Sequence, residues 1–267
     1  MCAGLKRCGT DDGGRPAPST APPATSTQAA SPTAPSTAAA TPTGEAAAPS
    51  TGEAATPSPQ PPAPSPTPPA HSLTDPTSQW VVVNKRRPLA PRAFAPELAQ
   101  PDVPLAISGE GALLNPTTAH AAEALFAAAA TAGVGMTLAS GYRSYATQQA
   151  TYASEVAAQG QALADVASAR PGYSEHQTGW AFDLGAAGGT CSFQPCFADT
   201  PAAKWAAAHA HEFGFIVRYP WMLHGITGYF YEPWHLRFIG VEAATEMRQK
   251  GIGTLEEYFG LPAAPTY

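Results

Sequence analysis

The chain has 267 residues, a formal net charge of -6 and a sequence pI near 5.6. This acidic balance, without any face rich in Lys or Arg, excludes a general nucleic-acid binder, because nothing could neutralise the phosphates. No apolar run reaches the roughly 18 residues that a membrane-spanning helix needs, so none is predicted.

Composition divides the chain near Trp80. Residues 1–79 contain 17 of the 30 prolines and no Phe, Tyr or Trp, and they are rich in Ala, Ser and Thr. Such a segment cannot bury enough apolar surface to offset the entropy of ordering it. We therefore expect a disordered spacer over 1–79 and one folded domain over 80–267, which is long enough to form a core.

A Pro/Ala/Ser/Thr spacer is typical of bacterial envelope enzymes that are held away from their membrane or wall attachment. The N-terminal stretch MCAGLKRCGT is not a complete signal peptide, since no apolar segment follows its basic residues, and we expect the natural chain to begin earlier. Cys2 or Cys8 is a candidate lipid-attachment residue, although LKRC matches such sites poorly. Free thiols are the alternative.

Helix and strand signals alternate along the domain. The run WVVVNKRRPL, which begins at Trp80, is β-rich. A capping residue, a helix-starting segment and a glycine stop predict helices from Pro116 to Gly133, Tyr145 to Gln159 and Pro201 to Phe213; shorter helices are predicted in QALADVASA and VEAATEMRQKG. Strand patterns occur in GMTLASGYR, WAFDL, FIVRYP and GYFYEPWHLRFIG. Without a regular βαβ repeat, these elements predict an α+β fold with a mostly antiparallel central sheet flanked by helices.

Two cysteines lie close together in CSFQPC. A disulfide between Cys191 and Cys196 would close a very short loop and stabilise the fold by roughly 2 kcal/mol. A metal site is the alternative, but it would need a second Cys/His pair of similar spacing nearby, and the sequence has none. The disulfide favours an oxidising, extracytoplasmic compartment.

The stretch SEHQTGWAFD, from Ser174 to Asp183, contains the first residues with catalytic potential. His176 and Asp183 are separated by Gly179, which prevents a helix that could align them on one face. A loop followed by a strand could still bring the two side chains together. Taken singly, each is more often a hydrogen-bonded structural residue than a ligand.

The stretch YEPWH contains the second group. Glu232 and His235 lie in a predicted strand, where their spacing would place them on opposite faces unless Pro233 marks an edge or a bulge. Two histidines and one carboxylate are the ligands of a catalytic zinc site that leaves a fourth position for water. A further glutamate beside them would act as general base. Neither stretch matches the helical His-Glu-x-x-His motif of common metalloproteases.

These stretches resemble a known family. SEHQTGWAFD resembles the SxHxxGxxxD motif, and EPWH the ExxH motif, of the zinc D-alanyl-D-alanine carboxypeptidases of the VanY and peptidase M15 type. SGYRSYATQ is similar to that family's substrate-binding segment, and WVVVNKRRPL and FGFIVRYP resemble its flanking strands. The resemblance covers most of the chain from Trp80 to about Gly260, and it implies a hedgehog/DD-peptidase-like fold.

The resemblance also implies roles for individual residues. His176, Asp183 and His235 would bind zinc, and Glu232 would act as base and then as proton donor to the leaving amine. Arg143 would bind the C-terminal carboxylate of the substrate or stabilise the oxyanion, since a planar, permanently charged donor suits both.

Two more polar residues match the family's substrate contacts. These are Gln148 and Ser174. For Gln148, which lies in a predicted helix, the alternative is a surface residue without a functional role.

The sequence therefore predicts a secreted or surface-tethered zinc carboxypeptidase, a monomer, that removes the terminal D-alanine from peptidoglycan stem peptides. D,D-dipeptidase and L,D-carboxypeptidase activities are alternatives within the family, because the loops around the pocket decide among them. A non-catalytic wall-binding module is the alternative from another class. Such a module would be expected to lose the base, whereas Glu232 and Arg143 are both present.

Overall fold

The computed structural model describes residues 71–267, so residues 1–70 and most of the predicted spacer lie outside the description. None of the described helices is long and apolar enough to cross a membrane. The α-helices are α1 (Pro116–Thr131), α2 (Tyr145–Gln159), α3 (Gln161–Ala167), α4 (Pro201–His209), α5 (His224–Thr227), α6 (Val241–Lys250) and α7 (Leu255–Tyr258). The strands are β1 (Met136–Ser140), β2 (Ala181–Ala186), β3 (Phe215–Tyr219) and β4 (Glu232–Phe238).

The four strands form one antiparallel sheet in the order β1-β2-β4-β3, which confirms the predicted α+β fold. Phe182 and Leu184 of β2 and Leu236 of β4 are buried in the main apolar core, together with side chains of α1. Because successive side chains of a strand alternate between faces, Asp183 and His235 point to the other side of the sheet. The core thus leaves one face of the central strands free for polar residues.

The main helices begin where the sequence predicts. Asn115, Ser144 and Thr200 each accept a backbone N–H of the first helical turn with their side chains, at the starts of α1, α2 and α4. The observed bounds of α2 equal the predicted ones. The third predicted helix is shorter than expected, because α4 ends at His209 and a 3-10 turn continues the chain to Phe213.

The β-rich run from Trp80 is not a strand of the sheet, so that prediction is wrong. Its backbone makes only an isolated bridge, between Asn84 and Arg87. Val81 and Val82 are buried, but their carbonyls accept hydrogen bonds from the guanidinium groups of Arg237 and Arg87. The β-branched residues therefore reflect burial of an extended segment whose Val81 and Val82 carbonyls bond to arginine side chains and not to a neighbouring strand.

Residues 71–79, which the sequence analysis assigns to the spacer, contact the domain. The Pro76 carbonyl accepts a 3.2 Å hydrogen bond from Trp180 Nε1, and the Leu73 carbonyl accepts one from the Val82 backbone. Leu73 also packs against the second apolar cluster, which includes Val82 and Leu255. The part of the chain that packs on the domain therefore starts before Trp80.

The segment before the last strand differs from its predicted form. GYFYEPWHLRFIG is predicted to be extended throughout, but its first residue, Gly228, ends the short helix α5 with φ +86°, and β4 begins only at Glu232. A further short helix, α7, follows α6 and is capped by the Thr254 side chain. Helix α7 places Glu256 in the interior of the domain, where it is fully buried.

Candidate metal centre and active site

Two neighbouring strands and one turn bring three possible metal ligands together. Asp183 of β2 is the register partner of His235 of β4. His176 comes from a 3-10 turn, Glu175–Thr178, that leads into β2. The chain turns at Gly179 with φ +71°, where a Cβ atom would lie 2.7 Å from the backbone nitrogen of Asn115. Only glycine fits this turn, which returns the chain so that His176 and Asp183 meet.

The donor atoms of the three side chains face one another. One nitrogen or oxygen from each of His176, Asp183 and His235 lies within 4.8 Å of the others, and all three residues are buried. His176 Nε2 is 3.3 Å from Asp183 Oδ2, and His235 Nδ1 is 3.3 Å from Asp183 Oδ1. The two imidazole rings are nearly perpendicular, with centroids 4.9 Å apart.

Each imidazole is held at its other nitrogen. His176 Nδ1 donates to the Gly141 carbonyl at 2.7 Å, which leaves Nε2 towards Asp183. His235 Nε2 lies 3.3 Å from Glu175 Oε2, which leaves Nδ1 towards Asp183. Outer partners of this kind set the tautomer and orientation of metal-binding histidines. Each imidazole therefore directs its other nitrogen, the one available to a metal ion, towards Asp183.

The cluster fits a bound zinc ion. Within residues 71–267, Asp183 Oδ1 is buried and accepts no hydrogen bond, although His235 Nδ1 is at ion-pair distance. A buried carboxylate oxygen without a donor is costly unless a cation satisfies it. Two imidazole nitrogens and one carboxylate are the protein ligands that zinc takes in catalytic sites. His176, Asp183 and His235 would hold the ion.

Burial and mutual contacts determine the charges of the metal-free cluster. Burial lowers the pKa of His176. Burial would also lower that of His235, but the nearby carboxylates of Asp183 and Glu175 raise the pKa of His235 to about 9. Burial would raise the pKa of Asp183, and the two histidines instead hold it well below its usual range. The cluster therefore has an ionised carboxylate, and metal binding must displace a proton from His235.

A bulge in β4 brings Glu232 to the same cluster. Val217 pairs with Leu236, and Tyr219 pairs with Glu232, so β4 has more residues than β3 between these two pairs. Glu232 Oε2 consequently lies 3.6 Å from His235 Nδ1. Burial raises the pKa of Glu232 to about 8. Of the two sequence-based explanations, the bulge is observed and the edge is wrong, since β4 lies between β2 and β3.

A cavity of about 430 Å³ opens over the cluster. This volume is that of a small-molecule or short-peptide site. Polar lining residues include Arg143, Ser174 and Glu232, in addition to the three possible ligands. Aromatic side chains form much of the remaining wall: Phe193, Tyr219, Tyr229, Phe230, Tyr231 and Trp234.

Arg143 lines this cavity, and hydrogen bonds to two polar side chains hold its guanidinium group in place. Its Nη1 donates to Gln148 Oε1 at 3.1 Å, and its Nη2 donates to Ser140 Oγ at 3.2 Å. Gln148 is fully buried, does not line the cavity and donates to the Ala169 carbonyl at 2.6 Å. The surface position considered for Gln148 is therefore wrong. Ser174 lines the cavity and is almost fully buried.

A second group of charged residues lies behind His235 and is missing from the sequence-based site. Glu175, Arg218, Arg237 and Glu256 are each at most 1% exposed. Their signal in the sequence is an Arg in each of the strands β3 and β4 and an acid directly before His176. Since buried charges need partners, the sequence could have predicted that these residues pair with one another. It could not have predicted which histidine the group contacts.

Cys191 and Cys196 form a disulfide, as the sequence predicts, with Cα atoms 5.7 Å apart. The loop between them carries Phe193, whose ring meets that of Trp234 edge-on at 6.2 Å. Phe193 and Pro195 both line the cavity. The disulfide therefore closes a loop that forms part of the cavity wall.

Comparison with known proteins identifies relatives of this domain. The model of the family described as "VanY: D-alanyl-D-alanine carboxypeptidase" matches residues 111–241. A Bacillus subtilis (strain 168) protein, YodJ, whose name describes a carboxypeptidase, is 37% identical over 186 residues, which are 69% of this chain and 68% of that protein.

Solved structures share the fold. The LdcB LD-carboxypeptidase superposes with a TM-score of 0.65 at 37% identity, over 69% of this chain and 87% of that one. A variant of the D,D-pentapeptidase VanY from a VanB-type resistance cassette, solved in complex with Zn(II), gives a TM-score of 0.57 at 35% identity, over 67% and 97% of the two chains. The identity, the coverage and the shared fold agree: the chain belongs to the VanY family of D-alanyl-D-alanine carboxypeptidases and is a peptidase.

Proposed function

We propose that this chain is a zinc-dependent D,D-carboxypeptidase that removes the terminal D-alanine from peptidoglycan stem peptides. The observation that carries the proposal is the convergence of His176, Asp183 and His235 on the floor of a cavity that also contains Glu232 and Arg143. A wall-binding module would need neither a base nor a cationic anchor in that cavity. The presence of both residues in one cavity favours catalysis.

Zinc, when bound, polarises the scissile carbonyl and lowers the pKa of water. Glu232 is the general base: it accepts a proton from the attacking water at Oε2 and delivers it to the leaving amine of D-alanine. Its position beside His235, and not between the ligands, keeps its carboxylate available for this proton. The burial that raises its pKa also makes it able to hold the proton until the amine leaves.

Arg143 is the substrate anchor. Its guanidinium is held by Gln148 and Ser140, and it lines the cavity together with Glu232. We infer that it binds the C-terminal carboxylate, for which a planar fork of N–H donors is suited. Ser174 faces the substrate from the other motif, and Gln148 acts through Arg143, because Gln148 does not reach the cavity.

The compartment and the domain division are also part of the proposal. The disulfide Cys191–Cys196 is typical of proteins outside the reducing cytoplasm, which is where peptidoglycan lies. Residues before His71 would then act as the spacer and the remaining chain as the catalytic domain. The contacts of Leu73 and Pro76 with the domain support this boundary over the predicted one at Trp80.

Product analysis tests this proposal. The purified protein is incubated with a muramyl pentapeptide, a muramyl tetrapeptide and free D-Ala-D-Ala, each with and without a chelator, and the products are identified by mass. Release of one D-alanine from the pentapeptide alone, abolished by the chelator, is the expected result. Cleavage only of the tetrapeptide would assign L,D-carboxypeptidase activity, and cleavage only of the dipeptide would assign dipeptidase activity. Binding without any product would contradict catalysis.

A further inference from the structure

A buried carboxylate lies directly behind one of the proposed zinc ligands. Glu175 is fully buried, and its Oε2 lies 3.3 Å from His235 Nε2, on the side of the ring that faces away from Asp183. Its other oxygen, Oε1, accepts hydrogen bonds from Arg218 Nε at 2.8 Å and from Arg237 Nη1 at 3.0 Å. Both carboxylate oxygens of Glu175 are therefore engaged.

The two arginines are themselves fixed. Arg218 donates through Nη1 and Nη2 to the two oxygens of Glu256, at 3.0 and 2.8 Å. Arg237 Nη2 donates at 2.8 Å to the carbonyls of Gln79 and Val81. Two arginines and two glutamates balance in charge, so the network can stay ionised inside the protein. With both arginines held in this way, the carboxylate of Glu175 has little freedom to move from His235.

We propose that Glu175 is the positioning residue for zinc at this site: it accepts the Nε2–H of His235 and thereby directs the Nδ1 lone pair of that ring towards Asp183. The inference rests on the proposed zinc site, but it does not depend on which peptide is cleaved. A carboxylate in this position fixes the ring orientation and raises the basicity of the ligand nitrogen. Glu175 lines the same cavity, but no hydrogen bond or ion pair joins it to Arg143 or to Glu232. Its ion pair within the proposed metal site is with His235.

Glutamine at position 175 should disturb the ligand through hydrogen bonding alone. The amide oxygen would face the two arginines and accept their hydrogen bonds. The opposite orientation would place the amide NH2, a donor, against the N–H donors of the arginines. The NH2 group would then point at His235 Nε2, which must accept, so that the proton moves to Nδ1. A protonated Nδ1 cannot bind metal. Glu175→Gln therefore leaves the His235 ring in position but favours the tautomer that cannot bind metal through Nδ1.

Glu256 supplies a matched control. Glu256, like Glu175, is a fully buried glutamate bonded to Arg218, but its remaining partner is Asn84 and it does not contact His235. Glu256→Gln should therefore weaken the buried network without changing the tautomer of His235. Any loss that comes from the network in general appears in both variants. A loss that comes from positioning appears in Glu175→Gln only.

The experiment measures zinc affinity of the full chain by competition with a chromogenic chelator, and the visible spectrum of the cobalt(II)-substituted protein. Glu175→Gln should lose about 10- to 100-fold in zinc affinity and show altered cobalt bands. Glu256→Gln should keep wild-type affinity and spectrum while losing thermal stability. Equal zinc affinities in wild type and Glu175→Gln, or equal losses in the two variants, would overturn the proposal.

A second pair covers the case in which a glutamine variant does not fold. Glu175→Asp and Glu256→Asp keep the charges and withdraw each carboxylate by one methylene. A loss of zinc affinity confined to Glu175→Asp supports positioning, and equal affinities in this pair overturn it. Because the readout needs no substrate, wild-type zinc binding without peptide cleavage would count against the proposed function and leave this inference intact.

Discussion

The two sides of the His235 ring, the cavity side with Asp183 and the buried side with Glu175, differ in how many of their carboxylate oxygens accept hydrogen bonds. On the cavity side, Asp183 Oδ1 accepts no hydrogen bond from any residue in the described part of the chain. On the buried side, each oxygen of Glu175 and Glu256 accepts at least one hydrogen bond. Both sides are shielded from water, so burial alone does not separate them. The incompletely satisfied side is the one available to a metal ion and a substrate.

The largest effect is expected on the cavity side, from removing a ligand. Asp183→Ala should abolish stoichiometric zinc, because the remaining imidazoles cannot replace the carboxylate oxygen. Elemental analysis of the purified variant measures this directly. His209→Ala, which removes a half-buried histidine at the end of α4 away from the cluster, is the control and should keep full zinc. Full zinc in Asp183→Ala would remove that residue from the ligand set.

The next effect is expected on the buried side, from Glu256. Burial would raise the pKa of Glu256, but Arg218 lowers it, so the folded protein binds this proton more weakly than the unfolded chain. Its stabilisation is full above the usual carboxylate pKa and is lost as the pH falls through the lower folded value. Metal-free Glu256→Gln should be about 3 kcal/mol less stable than wild type at neutral pH.

Denaturant unfolding over a pH series in the presence of a chelator measures that difference. The gap between wild type and Glu256→Gln should begin to shrink as the pH falls below about 4, where the unfolded chain takes up the proton. It should close only below the lower folded pKa, where Glu256 is neutral in both states. A gap that stays constant with pH would show that Glu256 contributes through packing and not through its charge.

The segment 71–79 offers another way to disturb the buried side. A chain that starts at Trp80 lacks the Gln79 carbonyl that accepts from Arg237 and the Leu73 side chain that packs on the second cluster. We expect a loss of about 2 to 4 kcal/mol in the free energy of unfolding. A chain that starts at His71 is the control and should unfold like the full-length protein. Equal stability of both truncated chains would place the domain boundary at Trp80, as composition alone suggests.

The smallest effect concerns Arg143 and distinguishes carboxylate binding from oxyanion stabilisation. Arg143→Ala should reduce kcat/KM on a pentapeptide by about 10- to 100-fold, the value of a charge-assisted hydrogen bond. On the same peptide with a C-terminal amide, wild type should already be slow, and the substitution should cause little further loss. An equal loss on both peptides would mean that Arg143 serves the oxyanion instead.

The cavity side could be predicted from the sequence much better than the buried side. His176, Asp183, Glu232 and His235 lie in two short stretches whose spacing and family motifs are visible in one dimension. The contacts of Glu175 with Arg218 and Arg237 span 43 and 62 residues, and no local pattern reports such distances.

The same limit explains the wrong prediction at Trp80. Its β-branched run is buried, but the partners of its carbonyls are arginine side chains, one of them 156 residues away. The burial of Gln148 was missed for a related reason, because its partners include a carbonyl beyond the end of its own helix. Capping residues and strand alternation, which depend on near neighbours, predicted the helix starts and the inward face of β2 correctly.

The substitution Glu232→Gln, measured beside Glu175→Gln, tests most directly whether the cavity side performs the chemistry and the buried side holds the ligand. Turnover number, zinc affinity and melting temperature are determined on one preparation of each variant. Glu232→Gln should keep zinc affinity and melting temperature near wild type while kcat falls by about 10² to 10⁴-fold, because glutamine cannot accept the proton. A near-normal kcat in Glu232→Gln with a full complement of zinc would contradict this account.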